Sequence, residues 1–152
     1  MKYEKLNIEI INEHYFDEVK ELEDCVKLYS NDILKFIIYR DSTIYAYDSL
    51  TVDAYDNSEV IDCDNSIVYA YDNSKVYARD NSKVYAKDSS KVYANDSSTV
   101  EAHANSRVYT YNSSTVYAYN SSTVYAYDRS TVYAKDNSTV HAYDNSKIGK
   151  EN

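Results

Sequence analysis

From residue 41 onward one eight-residue phrase recurs without a single insertion. Its clearest column is Val or Ile: Ile44, Val52, Val60, Val68, Val76, Val84, Val92, Val100, Val108, Val116, Val124, Val132, Val140 and Ile148. Two residues before that column stands Ser, broken only by Leu50. Two residues after it stands Ala, except at Asp62, Thr110 and Lys150, and four after it stands Asp or Asn, with Ala104 the lone exception. A repeat this regular predicts a quasi-one-dimensional stack, in which each unit buries its apolar side only against its neighbours. The period also decides the secondary structure. Val and Ala two apart share one face of a strand, and Tyr, Lys and Thr take the other. A helix needs apolar positions three and four apart, and an eight-residue frame fits neither its 3.6-residue turn nor a heptad. Each unit therefore reads as one strand and one corner.

The corners must be turned without the usual residues, because the chain has one Gly and no Pro. Asp-Asn-Ser and its variants serve instead: Asp and Asn bond nearby backbone, and Asn tolerates the left-handed region. The corner Ser has the parity of the core Val, which predicts a file of inward hydroxyls satisfying corner carbonyls. Two units make a flattened coil of sixteen residues, three a triangular coil of twenty-four. Val plus Ala supplies too little volume to fill a triangle at native density, which favours sixteen. The expected fold class is an all-β, narrow two-sided β-solenoid with a small α/β N-terminal cap. Its fourteen units make seven coils, about 34 Å of axis at roughly 4.8 Å per coil.

The division follows: residues 1–40 as the capping segment, 41–152 as the solenoid. Within the cap, "INEHYFDEVKELEDCVKLYSND" reads as one amphipathic helix. Asn12 is its N-cap, Glu13, Asp17 and Glu18 stand at the positive end of its dipole, and Tyr15, Val19, Leu22, Val26 and Tyr29 form a stripe. The flanking "LNIEII" and "ILKFIIY" read as strands. Such a segment covers a coil that would otherwise expose unpaired edges, and "KIGKEN" closes the other end with charge.

Twenty tyrosines are present, and sixteen fall in two outward columns of the repeat. Stacked coils turn such columns into aromatic ladders. These reinforce a thin core by about 0.5–1.5 kcal/mol per pair, or offer large rigid contact area at low entropic cost. The candidate interaction surface is Tyr69, Tyr85, Tyr109, Tyr117, Tyr125 and Tyr133, with emphasis on the C-terminal third, which is more aromatic and less charged. On a sixteen-residue coil one face carries Tyr69, Tyr85, Tyr117 and Tyr133 beside Thr99, Thr115 and Thr131. The opposite face carries Tyr77, Tyr93, Tyr109 and Tyr125 beside Lys75, Lys91 and Arg107.

Composition narrows the function. Sixteen Lys+Arg against twenty-five Asp+Glu give a formal charge of −9, which argues against direct nucleic-acid contact and against an anionic membrane. The start "MKYEKLNIEI" lacks signal-peptide layout. Cys25 and Cys63 have no CxxC spacing and read as free thiols of a reducing compartment, so a cytoplasmic location is expected. No phosphate loop, dinucleotide fingerprint or zinc spacing occurs. His14, His103 and His141 belong to no catalytic grouping. We expect no enzyme, no catalytic residue, no cofactor, no metal and no small-molecule substrate.

The octapeptides "IVYAYDNS" and "KVYAKDSS" resemble the octapeptide-repeat β-solenoids of bacteria and their phages, and the resemblance covers Asp41 to Lys147. In geometry the repeat is similar to the flattened coils of ice-nucleation proteins, and in logic to pentapeptide-repeat proteins, some of which mimic duplex DNA. The resemblance implies the architecture, and the residues themselves give the expected function: a non-enzymatic solenoid whose rigid Tyr ladders meet a protein partner or a second copy in a homodimer. The alternative reading is a phage-encoded acidic DNA-mimic inhibitor of a host nucleic-acid enzyme or defence nuclease. A further one is ice binding.

Overall fold

A computed structural model describes residues 8–10, 21–22, 25–28, 35–38, 43–46, 50–62 and 64–150. Its elements among the described residues are all strands. The first four are β1 (Ile8–Ile10), β2 (Glu21–Leu22), β3 (Cys25–Leu28) and β4 (Lys35–Ile38). Fourteen four-residue strands follow at eight-residue intervals: β5 (Thr43–Ala46), β6 (Thr51–Ala54), β7 (Glu59–Asp62), β8 (Ile67–Ala70), β9 (Lys75–Ala78), β10 (Lys83–Ala86), β11 (Lys91–Ala94), β12 (Thr99–Ala102), β13 (Arg107–Thr110), β14 (Thr115–Ala118), β15 (Thr123–Ala126), β16 (Thr131–Ala134), β17 (Thr139–Ala142) and β18 (Lys147–Lys150).

Alternate strands build two nine-stranded sheets. Sheet 1 runs β1-β4-β6-β8-β10-β12-β14-β16-β18, and sheet 2 runs β17-β15-β13-β11-β9-β7-β5-β3-β2. From β5 on, neighbours within a sheet are parallel and sixteen residues apart, as in Val84↔Val100 and Val92↔Val108. The coil thus has two strands and sixteen residues. The protein is a parallel β-solenoid, as the repeat predicted.

Inward positions explain why it holds. Val52, Val60, Val68, Val76, Val84, Val92, Val100, Val108, Val116, Val124 and Val132 are wholly buried, as are Ala54, Ala70, Ala78, Ala86, Ala94, Ala102, Ala118 and Ala126. Two small files per sheet interdigitate into one thin core running the length of the stack. Leu50, at a Ser position, is wholly buried too. At the far end the core opens: Val140 is only partly buried and Ile148 is 55% exposed.

Each corner is a tight turn built on a left-handed residue. Asp56, Asp64, Asp72, Asp80, Asp88, Asp96, Asn112, Asn120, Asp128, Asp136 and Asp144 all have φ between 54° and 65°. Ala104 takes the same conformation, at φ 53°, without an Asx side chain to favour it. The Ser N–H closes the turn on the carbonyl three residues back, as in Ser74 N to Tyr71 O at 3.0 Å, and the intervening Asn amide reaches the previous coil, as in Asn73 N to Asp56 O at 2.9 Å.

Two expectations are corrected. The N-terminal helix is not formed where the chain is described: β2 and β3 make an antiparallel pair, Glu21↔Val26 and Leu22↔Cys25. The rest of that stretch lies outside the described residues. The physical reason is edge satisfaction, because β3 lies parallel to β5, with Val26↔Ile44 and Leu28↔Ala46, and so pairs backbone groups that a helix would leave open. The two flanking strands form as expected, β4 parallel to β6 and β1 antiparallel to β4. The second correction concerns the serine hydroxyls. Ser114, Ser130, Ser138 and Ser146 donate to the carbonyl three residues back at 2.7 Å. The buried hydroxyls of Ser58, Ser74, Ser90, Ser98, Ser106 and Ser122 have no partner among the described residues, so there the Ser fills corner space and supplies its amide.

Candidate functional site: two aromatic faces and two acidic corners

Strand alternation sends the residue after each Val outward, and in-register pairing stacks these residues one coil above another. On sheet 2 the result is an unbroken ladder. Tyr77–Tyr93, Tyr93–Tyr109 and Tyr109–Tyr125 have ring centroids 5.0, 5.1 and 4.9 Å apart and interplanar angles of 9–14°. His141 extends it over Tyr125 at 4.9 Å. Sheet 1 carries two short ladders, Tyr69–Tyr85 at 4.8 Å and Tyr117–Tyr133 at 5.2 Å. Glu101 separates them, in register between Tyr85 and Tyr117. Gly149 stands in register over Tyr133, and a Cβ there would lie 2.6 Å from the ring, so the single glycine leaves room for the last tyrosine.

The six candidate surface residues therefore do not form one patch. Tyr69, Tyr85, Tyr117 and Tyr133 lie on sheet 1, and Tyr109 and Tyr125 on sheet 2. Tyr77 and Tyr93, outside that set, complete the continuous ladder. The alternation of units between faces was the signal that could have selected them. Shorter stacks line the corners: Tyr55–Tyr71, His103–Tyr119, Tyr111–Tyr127 and Tyr127–Tyr143, at 4.7–5.1 Å. Because ring faces are occupied by one another, what the ladders offer outward is ring edges and phenol hydroxyls.

Cations flank the rings. Lys75 Nζ lies 4.5 Å from the Tyr77 centroid, Lys83 4.9 Å from Tyr85, and Lys91 5.3 and 5.4 Å from Tyr93 and Tyr109. Such contacts are worth about 0.5–1 kcal/mol at exposed sites. Hydrogen bonding to the neighbouring phenol is the first cause that holds these three ammonium groups above their usual values, with burial opposing it. Lys75 also pairs with Glu59 at 3.5 Å, and Glu101 lies 3.9 Å from Lys83 and 4.0 Å from His103.

The corner carboxylates are tied to backbone, though not in the way local turn chemistry predicts. Asp72, Asp128 and Asp136 accept from the amides of Asp56, Asn112 and Asn120, one coil earlier, at 3.1–3.2 Å. Asp88 and Asp144 do the same more weakly, at 3.5 Å. The Asx residues thus link coils as well as turning them. Ala104 offers no such acceptor to Asp88.

Two inward positions break the Ala file. Thr110 hydrogen-bonds Ser114 in the core. Asp62 is wholly buried, and neither carboxyl oxygen has a close hydrogen-bond partner among the described residues. Burial pushes its pKa well above the ordinary range, and the nearby Ser82 hydroxyl only partly opposes this. Cys63 lies outside the described residues. Among the described residues no three His, Cys, Asp or Glu come together as a metal-binding group, and no helix is long and apolar enough to cross a membrane. The chain matches no protein-family model, and no curated protein or solved structure is significantly similar to it.

Proposed function

We propose that this protein is a non-enzymatic interaction module that presents a rigid tyrosine ladder to a protein partner or to its own copy. The observation that carries this reading is the unbroken sheet 2 ladder from Tyr77 to Tyr125. Regular stacking holds its rings with little entropy left to lose on binding. A stiff aromatic strip at a β-sheet face is the type of surface that marks a contact site. Imitation of nucleic acid has less support, because the corner carboxylates are partly spent on backbone amides.

Paired substitutions test the reading. Tyr109→Ser with Tyr125→Ser should abolish capture of a specific partner protein from a bacterial lysate. Tyr117→Ser with Tyr133→Ser, on the other face, should leave it intact. Capture that survives both double substitutions, with melting unchanged, would leave the ladders as reinforcement alone.

A further inference from the structure

The aromatic column of sheet 1 lacks one rung. Tyr85 on β10, Glu101 on β12 and Tyr117 on β14 are in-register neighbours. Tyr85 stacks on Tyr69 on its far side, and Tyr117 on Tyr133. Each therefore turns toward Glu101 a face on which no ring is stacked. The two faces lie two strand spacings apart, about 9.6 Å. Glu is shorter than Tyr, so its carboxylate forms the floor of a slot walled by the outer halves of both rings.

That floor is charged and loosely satisfied. Glu101 Oε1 lies 3.9 Å from Lys83 Nζ, and Oε2 lies 4.0 Å from His103 Nε2, both beyond hydrogen-bond length. Lys83 reaches in from the Tyr85 side, 4.9 Å from that ring centroid. The adjacent corner column shows what such a gap takes. There Lys87 stands one coil from Tyr71 and one coil from His103, with Nζ 5.3 Å from the Tyr71 centroid. That gap is filled by a cation of its own, whereas the gap between Tyr85 and Tyr117 is filled by a carboxylate.

We propose that the Glu101 slot receives an arginine side chain of a partner protein. The guanidinium enters edge-on and parallel to both rings, about 4.8 Å from each, inside the roughly 6 Å reach of a cation–π contact. Its fork meets the carboxylate with two parallel N–H donors. A lysine ammonium has no plane to fill the slot, and a neutral planar group leaves the carboxylate uncompensated. The formal charge of −9 draws a basic segment toward the molecule. Lys83 is the internal competitor, and an exposed ion pair as long as its own holds Glu101 weakly. The slot lies on sheet 1, away from the Tyr77–Tyr125 ladder, so it goes beyond the ladder contact and stands or falls separately from it.

Nuclear magnetic resonance titration of the whole chain tests the proposal, with the capped peptide Gly-Gly-Arg-Gly-Gly as probe. Signals of Tyr85, Glu101 and Tyr117 should shift saturably. The same peptide with Lys, or with uncharged citrulline, in place of Arg should bind several-fold more weakly or not at all. Glu101→Gln should weaken binding by at least about tenfold, and Tyr117→Leu by a few-fold. Lys83→Gln is the sharpest variant, because removing the competitor should tighten binding about two- to threefold, an effect that general loss of structure would not produce. Tyr109→Ser with Tyr125→Ser should leave the shifts unchanged. No saturable shift at these three residues, equal binding of the Lys or citrulline peptide, or unchanged binding by Glu101→Gln overturns the proposal.

Discussion

Replacing Asp62 by Ala should make the protein more stable. Its neighbours in the same file, one coil to either side, are Ala46 and Ala78. The backbone there already accommodates Ala. Asp62 buries a carboxyl whose oxygens find no close hydrogen bond among the described residues, and the nearby Ser82 hydroxyl offsets only part of the burial, a burden of about 1–3 kcal/mol for a polar group left poorly paired. Loss of side-chain volume offsets part of the gain, by up to about 1 kcal/mol. The net gain near neutral pH is then about 1–2 kcal/mol, or about 2–8 °C in Tm for a chain of this length. The sign of the pH dependence follows from burial raising the folded-state pKa above the ordinary value of 3.8. The folded chain holds this proton to higher pH than the unfolded chain. Its contribution is therefore most favourable below 3.8, and it is lost progressively as pH rises toward the folded-state value. Thermal melts of wild type and Asp62→Ala should lie closest in acid and separate as pH rises through that window. Asp62→Asn should remove the pH-dependent part of the gap and keep the rest. A destabilised Asp62→Ala, or a gap that ignores pH, would mean that this carboxylate has a partner and the reasoning fails.

Three further outcomes are expected. Val84→Asp, which puts a charge into a wholly buried position, should cost at least about 3 kcal/mol or prevent folding, whereas Tyr85→Ser should cost about 1–2 kcal/mol; thermal melts that rank them otherwise would invert the two faces of the strand. Deleting Val108 to Thr123, one whole coil, should leave a folded and shorter solenoid with both ladders in register, while deletion of eight residues should exchange the faces downstream and broaden the near-ultraviolet signal of the tyrosines. Ala104→Asn should stabilise by about 1 kcal/mol through relief of left-handed strain, read as a raised denaturation midpoint, and no change would mean that the corner relaxes around Ala.

The solenoid was legible because its information is periodic. Val84 and Ala86 point inward for the same reason as Val100 and Ala102, and one octapeptide read correctly is all of them read correctly. What escaped the sequence depends on contacts sixteen residues away. Asp72 looks like a local turn residue, and only the stacked coils reveal that its carboxylate serves the amide of Asp56. The stripe of Leu22 and Val26 fits a helix as well as a strand, and what decided was the need of β5 for a neighbour. The aromatic columns were visible from the start. Their division into one continuous ladder and two short ones followed from the alternation of units and from Glu101, which sequence reading did not weigh.

The corners also bear on how this protein ages. Asp-Asn-Ser is a sequence in which backbone nitrogen commonly attacks the preceding side-chain carbonyl, closing a succinimide ring that deamidates Asn or isomerises Asp. Here both attacking nitrogens are engaged. The Ser74 amide that would attack Asn73 is held by Tyr71 O, and the Asn73 amide that would attack Asp72 is held by Asp56 O. The same two bonds recur at Ser82 and Asn81, bonded to Arg79 O and Asp64 O. Cyclisation requires those bonds to break and the turn to leave its left-handed conformation. Long incubation should therefore convert the folded corners far more slowly than a free Asp-Asn-Ser peptide, so that a chain composed of chemically fragile tripeptides becomes durable by repeating them.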